Sequence, residues 1–129
     1  MSNDKETVLG VNQAFYDAFS NQDLTGMNRV WSQGNMSICI HPGGKVLQGW
    51  EEVKVSWEQI FRNTKSLEID VEIITVEVTD EIAYVMVLES VLQSVRGRKN
   101  KGVSLATNIF RKMAQKWYLV HHHGSPLMR

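Results

Sequence analysis

A single cysteine, Cys39, stands among the 129 residues, so no internal disulfide can form and a reducing compartment is expected. No apolar stretch approaches the roughly 20 residues that span a bilayer. The polar start Met1-Ser2-Asn3-Asp4-Lys5-Glu6 carries no leader-like apolar region. Charge of one sign is not in excess: 14 basic residues balance 14 acidic ones, so no global field recruits nucleic acid or a membrane surface. Internal repeats, low-complexity runs and linkers are absent too, which leaves one domain over 1–129 in a soluble, cytoplasmic protein. A chain of this size can bury a single core.

The first half patterns as helices. Asn3 can cap a first helix with Glu6 reaching back, and Val8, Val11, Phe15 and Phe19 then recur at helical spacing. Asp23 caps a shorter helix with Leu24, Met27, Val30 and Trp31 inward. A strand over 36–41 leads into His41-Pro42-Gly43-Gly44, a turn in which Pro presets φ and Gly accepts a positive one. Val46-Leu47-Gln48 returns, Gly49 ends it, and a third helix is predicted over 50–63 with Trp50, Val53, Trp57, Ile60 and Phe61 inward.

The second half patterns as strands. Leu67, Ile69, Val71 and Ile73 alternate with acidic residues, after which Ile74, Val76 and Val78 take the opposite phase. A phase flip inside one strand predicts a β-bulge that bends the sheet. Residues 82–95 are apolar on both sides, Arg96-Gly97-Arg98-Lys99-Asn100-Lys101-Gly102 forms a basic hairpin tip, and 103–112 and 117–125 complete the sheet. The resulting class is α+β: a curved antiparallel sheet forming a cone-like half-barrel, with three N-terminal-half helices closing its concave face. Such a hollow suits a small ligand.

Val30-Trp31-Ser32, His41-Pro42-Gly43, Leu47-Gln48-Gly49, Ser56-Trp57-Glu58-Gln59-Ile60-Phe61, Thr107-Asn108-Ile109-Phe110 and Val120-His121-His122-His123-Gly124-Ser125-Pro126 occur in that order. In these motifs the chain resembles the SnoaL-like branch of the nuclear-transport-factor-two-like superfamily over nearly its whole length. The resemblance implies a cone-shaped α+β barrel, usually homodimeric, with a pocket between helices and concave sheet. It also implies one of several roles: isomerase, polyketide cyclase, dehydratase or association domain. The Tyr/Asp pair of the steroid isomerases has no matching positions, and Gly44 stands where an aromatic often follows His-Pro-Gly.

Strand pairing selects the site residues. A symmetrical turn at 113–116 sets Asn108 opposite His121, Ala106 opposite His123 and Phe110 opposite Leu119, and a regular basic hairpin sets Glu89 opposite Asn108. Glu89, Asn108, His121 and His123 then share the concave face, while Leu88, Leu92, Val103, Leu105, Thr107, Ile109, Tyr118, Val120 and His122 form a convex face suited to a homodimer. A one-residue slip would exchange the two faces. Glu89 and His121 read as an acid/base pair with Asn108 as an oxyanion donor, or as a polar patch whose members satisfy one another. Trp31, His41, Trp57 and His123 are the further ligand-binding candidates. A metal held by His121 and His123 with His41 or Glu89 is a minor alternative, and neither a metal nor a cofactor is expected. The basic tip reads as solvated rather than nucleic-acid-binding, because it lacks aromatic neighbours for base stacking.

Overall fold

The computed structural model describes residues 3–127. The elements follow in the order α1 (Asp4–Ser20), α2 (Leu24–Val30), β1 (Ile38–Ile40), β2 (Leu47–Gln48), α3 (Trp50–Asn63), β3 (Ser66–Val78), β4 (Ile82–Val95), β5 (Arg98–Met113) and β6 (Lys116–Pro126). Asn3 caps α1 through its side-chain oxygen, which accepts from the Glu6 N–H at 3.4 Å, and Asp23 caps α2 by accepting from the Gly26 N–H at 3.0 Å. The Gln22 side chain donates to the carbonyls of Phe61 (3.0 Å) and Thr64 (2.7 Å). These bonds satisfy carbonyls at the end of α3 that have no helical partner and tie that end to the α1–α2 turn.

The strands form one open sheet in the order β2-β1-β6-β5-β4-β3. The sheet is mixed where the sequence suggested a wholly antiparallel one. β1 runs parallel to β6, with Ile38 beside His121 and Cys39 beside His122. The chain leaving α2 meets β6 at a Trp31–Leu119 bridge and continues in the same direction, so a hairpin is impossible there. All other pairings are antiparallel. The helices cover one face, where Phe15, Trp31, Trp57, Val85, Val87, Ala106, Phe110 and Leu119 are fully buried. Among the described residues no helix is long and apolar enough to cross a membrane.

Two bulges shape the sheet. The one predicted from the phase flip is present in β3, where Ile73 pairs with Val87 and Thr75 with Met86, leaving Ile74 unpaired. A second, not foreseen, lies in β6. Phe110 pairs with Leu119 as expected, but Ile109 pairs with His121 and Asn108 with His122, so Val120 is the extra residue. One extra residue reverses the side-chain phase beyond it. His122 therefore faces the helices, and His121 and His123 face away, the reverse of the expected arrangement.

The basic hairpin also differs from expectation. Its turn is only Arg96-Gly97, both at positive φ, and Arg98 to Gly102 pair with Val95 to Val91 as strand. Glu89 consequently pairs with Ser104 and Asn108 with Val85. The displacement along β5 is four positions, an even number, so Glu89 and Asn108 still share the inner face.

The His41-Pro42-Gly43-Gly44 turn forms as read, with the Gly44 N–H on the His41 carbonyl at 2.7 Å and Gly43 at φ +75°. Pro42 rests on β6 at Gly124, where a Cβ would lie 2.9 Å from the proline ring. Glycine at 124 is thus what lets the turn, and His41 with it, sit against the sheet.

Candidate active site

Five polar side chains gather on the inner face of the sheet within an otherwise apolar core. Asn12 and Tyr16 come from successive turns of α1, Glu89 from β4, Asn108 from β5 and His122 from β6. None is more than 3% exposed. The spacing i, i+4 places Asn12 and Tyr16 one above the other on the helix, and strand alternation turns the other three toward them. The Tyr16 hydroxyl donates to Glu89 Oε2 at 2.6 Å. The Asn108 amide nitrogen donates to Asn12 Oδ1 at 2.9 Å and to the Tyr16 oxygen at 3.1 Å. His122 Nδ1 meets Asn108 Oδ1 at 2.5 Å, while its Nε2 lies 3.9 Å from Glu89 Oε2.

A cavity of about 720 Å³ opens onto this cluster. Glu89, Ser104 and His122 lie at its deep end, and His41 and Ser56 lie along one wall. Phe19, Ile60, Val91 and Val95 add apolar lining, and Gln59, Asn63, Gln93 and Asn100 polar lining. His41 Nε2 and Ser56 Oγ are 3.0 Å apart, and the Ser56 hydroxyl donates to the Val53 carbonyl at 2.7 Å. Since that hydroxyl proton is already used within α3, His41 is the donor to Ser56.

Burial governs the charges here. It pushes the Glu89 carboxyl above the usual carboxylate range, against the opposing effect of the Tyr16 hydrogen bond. It lowers His122 to about 3, helped by the nearby His41, His121 and His123, and lowers His41 to about 4. Both imidazoles are therefore neutral at neutral pH, and His122 and Glu89 are not an ion pair. Burial, with Glu89 nearby, likewise pushes up the Tyr16 hydroxyl and the Cys39 thiol.

The SnoaL-like domain family matches residues 8–129. The chain belongs to that family. Among solved structures, this SnoaL-like domain is similar to a putative dehydratase of the NTF2-like family from Streptomyces avermitilis. The two are 31% identical with a TM-score of 0.89, over 98% of this chain and 97% of that one. It is also similar to a putative calcium/calmodulin-dependent protein kinase type II association domain from Thiobacillus denitrificans, at 29% identity and TM-score 0.82, over 92% and 93%. Among curated proteins it is 27% identical over 121 residues to the F-box protein SKIP8 of Arabidopsis thaliana. That match takes in 94% of this chain but only 50% of SKIP8, so the SnoaL-like domain spans about half the length of that relative.

Of the site residues expected from the sequence, the fold brings Glu89, Asn108 and His41 to the cavity or directly beneath it. His121 and His123 sit on the convex face with rings 6.2 Å apart, displaced there by the β6 bulge. Trp31 and Trp57 are fully buried and stand behind the cavity rather than along it, with indole N–H groups that have no hydrogen-bond partner. Trp57 packs edge-on against His41 at 4.8 Å and so braces that wall. Among the described residues no three of His, Cys, Asp and Glu converge to hold a metal, and His121 and His123 lie on the face opposite Glu89. Sequence reasoning missed Asn12 and the hydrogen-bonding role of the Tyr16 hydroxyl, and it placed His122 on the convex face. For the first two a signal existed: 8, 12, 15, 16 and 19 form one helical stripe, and a polar residue inside an apolar stripe marks a buried hydrogen bond.

Proposed function

We propose that the cavity binds a small, partly apolar molecule and that Glu89 and His122 exchange protons with it, in turnover of the isomerase, cyclase or dehydratase type. One observation carries this reading. Two titratable groups 3.9 Å apart, both nearly inaccessible, face the same cavity with burial favouring their uncharged forms. A carboxyl that binds its proton more tightly than usual can act as acid, and an imidazole with a bare ring nitrogen can act as base. The Streptomyces relative favours elimination within that set. In a dehydration, Glu89 gives its proton to the departing hydroxyl while His122 takes the proton from the neighbouring carbon. Water and an alkene form, and the proton passes back from His122 to Glu89. Asn108 acts from beneath as support to His122, and His41 contributes a wall contact. His122 takes the role that the sequence suggested for His121. The buried free thiol of Cys39 suits a cytoplasmic setting.

Incubating the purified chain with a panel of β-hydroxy ketones and following conjugated-enone absorbance tests the reading. Enone formation that His122→Gln reduces by about 10²-fold or more supports it. No turnover across the panel, together with no organic molecule retained in native mass spectrometry, would sink it.

A second reading, an association module, draws on the Thiobacillus relative and on the convex face, where Met86, Leu88, Leu92, Val103, Leu105, Ile109 and Tyr118 are apolar and only half-buried. A homodimer through this face would cover them. Sedimentation should then show a dimer that Leu105→Glu converts to monomer, whereas a monomeric wild-type chain at micromolar concentration would exclude that interface.

A further inference from the structure

We infer that Asn12, acting through Asn108, is a positioning residue that holds His122 in its Nδ1–H tautomer and so keeps the Nε2 lone pair directed at Glu89 and the cavity. The inference rests on the directions in which hydrogens can be given. An asparagine side chain offers donors on its nitrogen and acceptors on its oxygen. The Asn108 nitrogen faces two oxygens, Asn12 Oδ1 at 2.9 Å and the Tyr16 hydroxyl oxygen at 3.1 Å. Both hydrogens of its amide are thereby used. Its oxygen is left facing His122 Nδ1, and an oxygen acceptor requires Nδ1 to carry the hydrogen. Since His122 is neutral, Nε2 then carries none.

Asn12 is the member that decides the sense of the chain. Tyr16 could tolerate a reversed Asn108, because a hydroxyl both donates and accepts. The oxygen of Asn12, held where it is, could not: a reversed Asn108 alone would bring two oxygens together at 2.9 Å, neither with a hydrogen to give. Without that acceptor, Asn108 is free to turn its nitrogen toward His122. The imidazole hydrogen would then move to Nε2, and the deep end of the cavity would present a donor where it now presents an acceptor. The current sense also fixes Tyr16: accepting from Asn108, it gives its own hydrogen to Glu89 at 2.6 Å. One amide on α1 therefore sets the polarity of both groups at the deep end. Its value to turnover rests on the acid/base reading above, while the tautomer itself does not.

The test is nitrogen NMR of the full chain labelled with ¹⁵N-histidine at neutral pH, with the His122 resonances assigned by loss in His122→Gln. Wild type should show Nδ1 protonated and Nε2 bare. Asn12→Leu should shift the populations by about fivefold or more toward Nε2–H, the ratio expected for loss of one buried hydrogen bond. If that variant does not fold, Asn12→Ala removes the same acceptor with less crowding. A wild-type His122 protonated on Nε2 would overturn the inference outright, as would a folded Asn12 variant that keeps the wild-type tautomer. A correct tautomer in a chain that turns over no β-hydroxy ketone would leave the inference standing and count against the acid/base reading alone.

Discussion

Replacing Glu89 with Gln is expected to cut turnover by about 10²–10⁴-fold, the usual size of a general acid/base contribution, while making the protein more stable at neutral pH. The opposite signs follow from one cause. Glu89 is 2% exposed and its folded pKa is raised, chiefly by desolvation. A carboxyl whose folded pKa lies above its unfolded value binds more protons in the folded state. Stability therefore falls as pH rises from the ordinary carboxyl value of 4.5 toward the folded value, and the penalty persists above it. The amide of the Glu89→Gln variant retains an oxygen for the Tyr16 hydroxyl, which now donates to the carboxyl at 2.6 Å, but never has to ionise. Urea unfolding across pH 3–9 should thus show the variant and wild type converging near pH 4 and separating, variant above, toward neutrality. His122 and His41 act in the other direction. Their folded values of about 3 and 4 lie below the ordinary 6.5, so each contributes stability that is lost as pH falls from 6.5. A Glu89→Gln variant that is less stable than wild type at pH 7 would show that Glu89 carries a favourable interaction that the observed contacts do not contain.

Phe15→Ala should be the most destabilising single truncation, by about 3–5 kcal/mol. The ring is fully buried and touches Tyr16 (4.8 Å between centroids), His122 (5.0 Å), Trp57 (5.6 Å), Trp31 (6.1 Å) and Phe19 (6.2 Å). These neighbours come from α1, α3, β6 and the segment after α2, so they cannot all close in on the space it leaves. Against a total stability of about 5–15 kcal/mol, a loss of this size leaves a small domain marginal. The void would also lie against the His122 imidazole. Hydrating that ring relieves the desolvation that lowers its pKa, so His122 should titrate closer to the ordinary range in Phe15→Ala. Chemical denaturation gives the first quantity and histidine NMR against pH the second. A loss below about 1 kcal/mol would mean that the core repacks around the site.

The fold was legible where local chemistry and global need agree. The α3 bounds, the α1 and α2 caps, the His41–Gly44 turn and the β3 bulge each leave a mark within a few residues of sequence. The bulge at Val120 leaves none. Leu119 and Val120 are both apolar, and three histidines follow, so alternation offers no hint of where the phase reverses. That one residue decided which histidine enters the core.

From its sequence alone this chain is committed to α+β architecture and to helices over one face of a bent sheet, and alternation puts Glu89 and Asn108 on one face through a register that the structure shifts by an even four positions. Periodicity and turn chemistry act over short separations and can be read along the chain. Only the tertiary structure decided that His122 rather than His121 joins them, that Asn12 and Tyr16 descend from α1 to complete the network, and that Trp31 and Trp57 stand behind the cavity. Those outcomes depend on register and on contacts across as many as 96 positions, where a shift of one residue exchanges inside for outside.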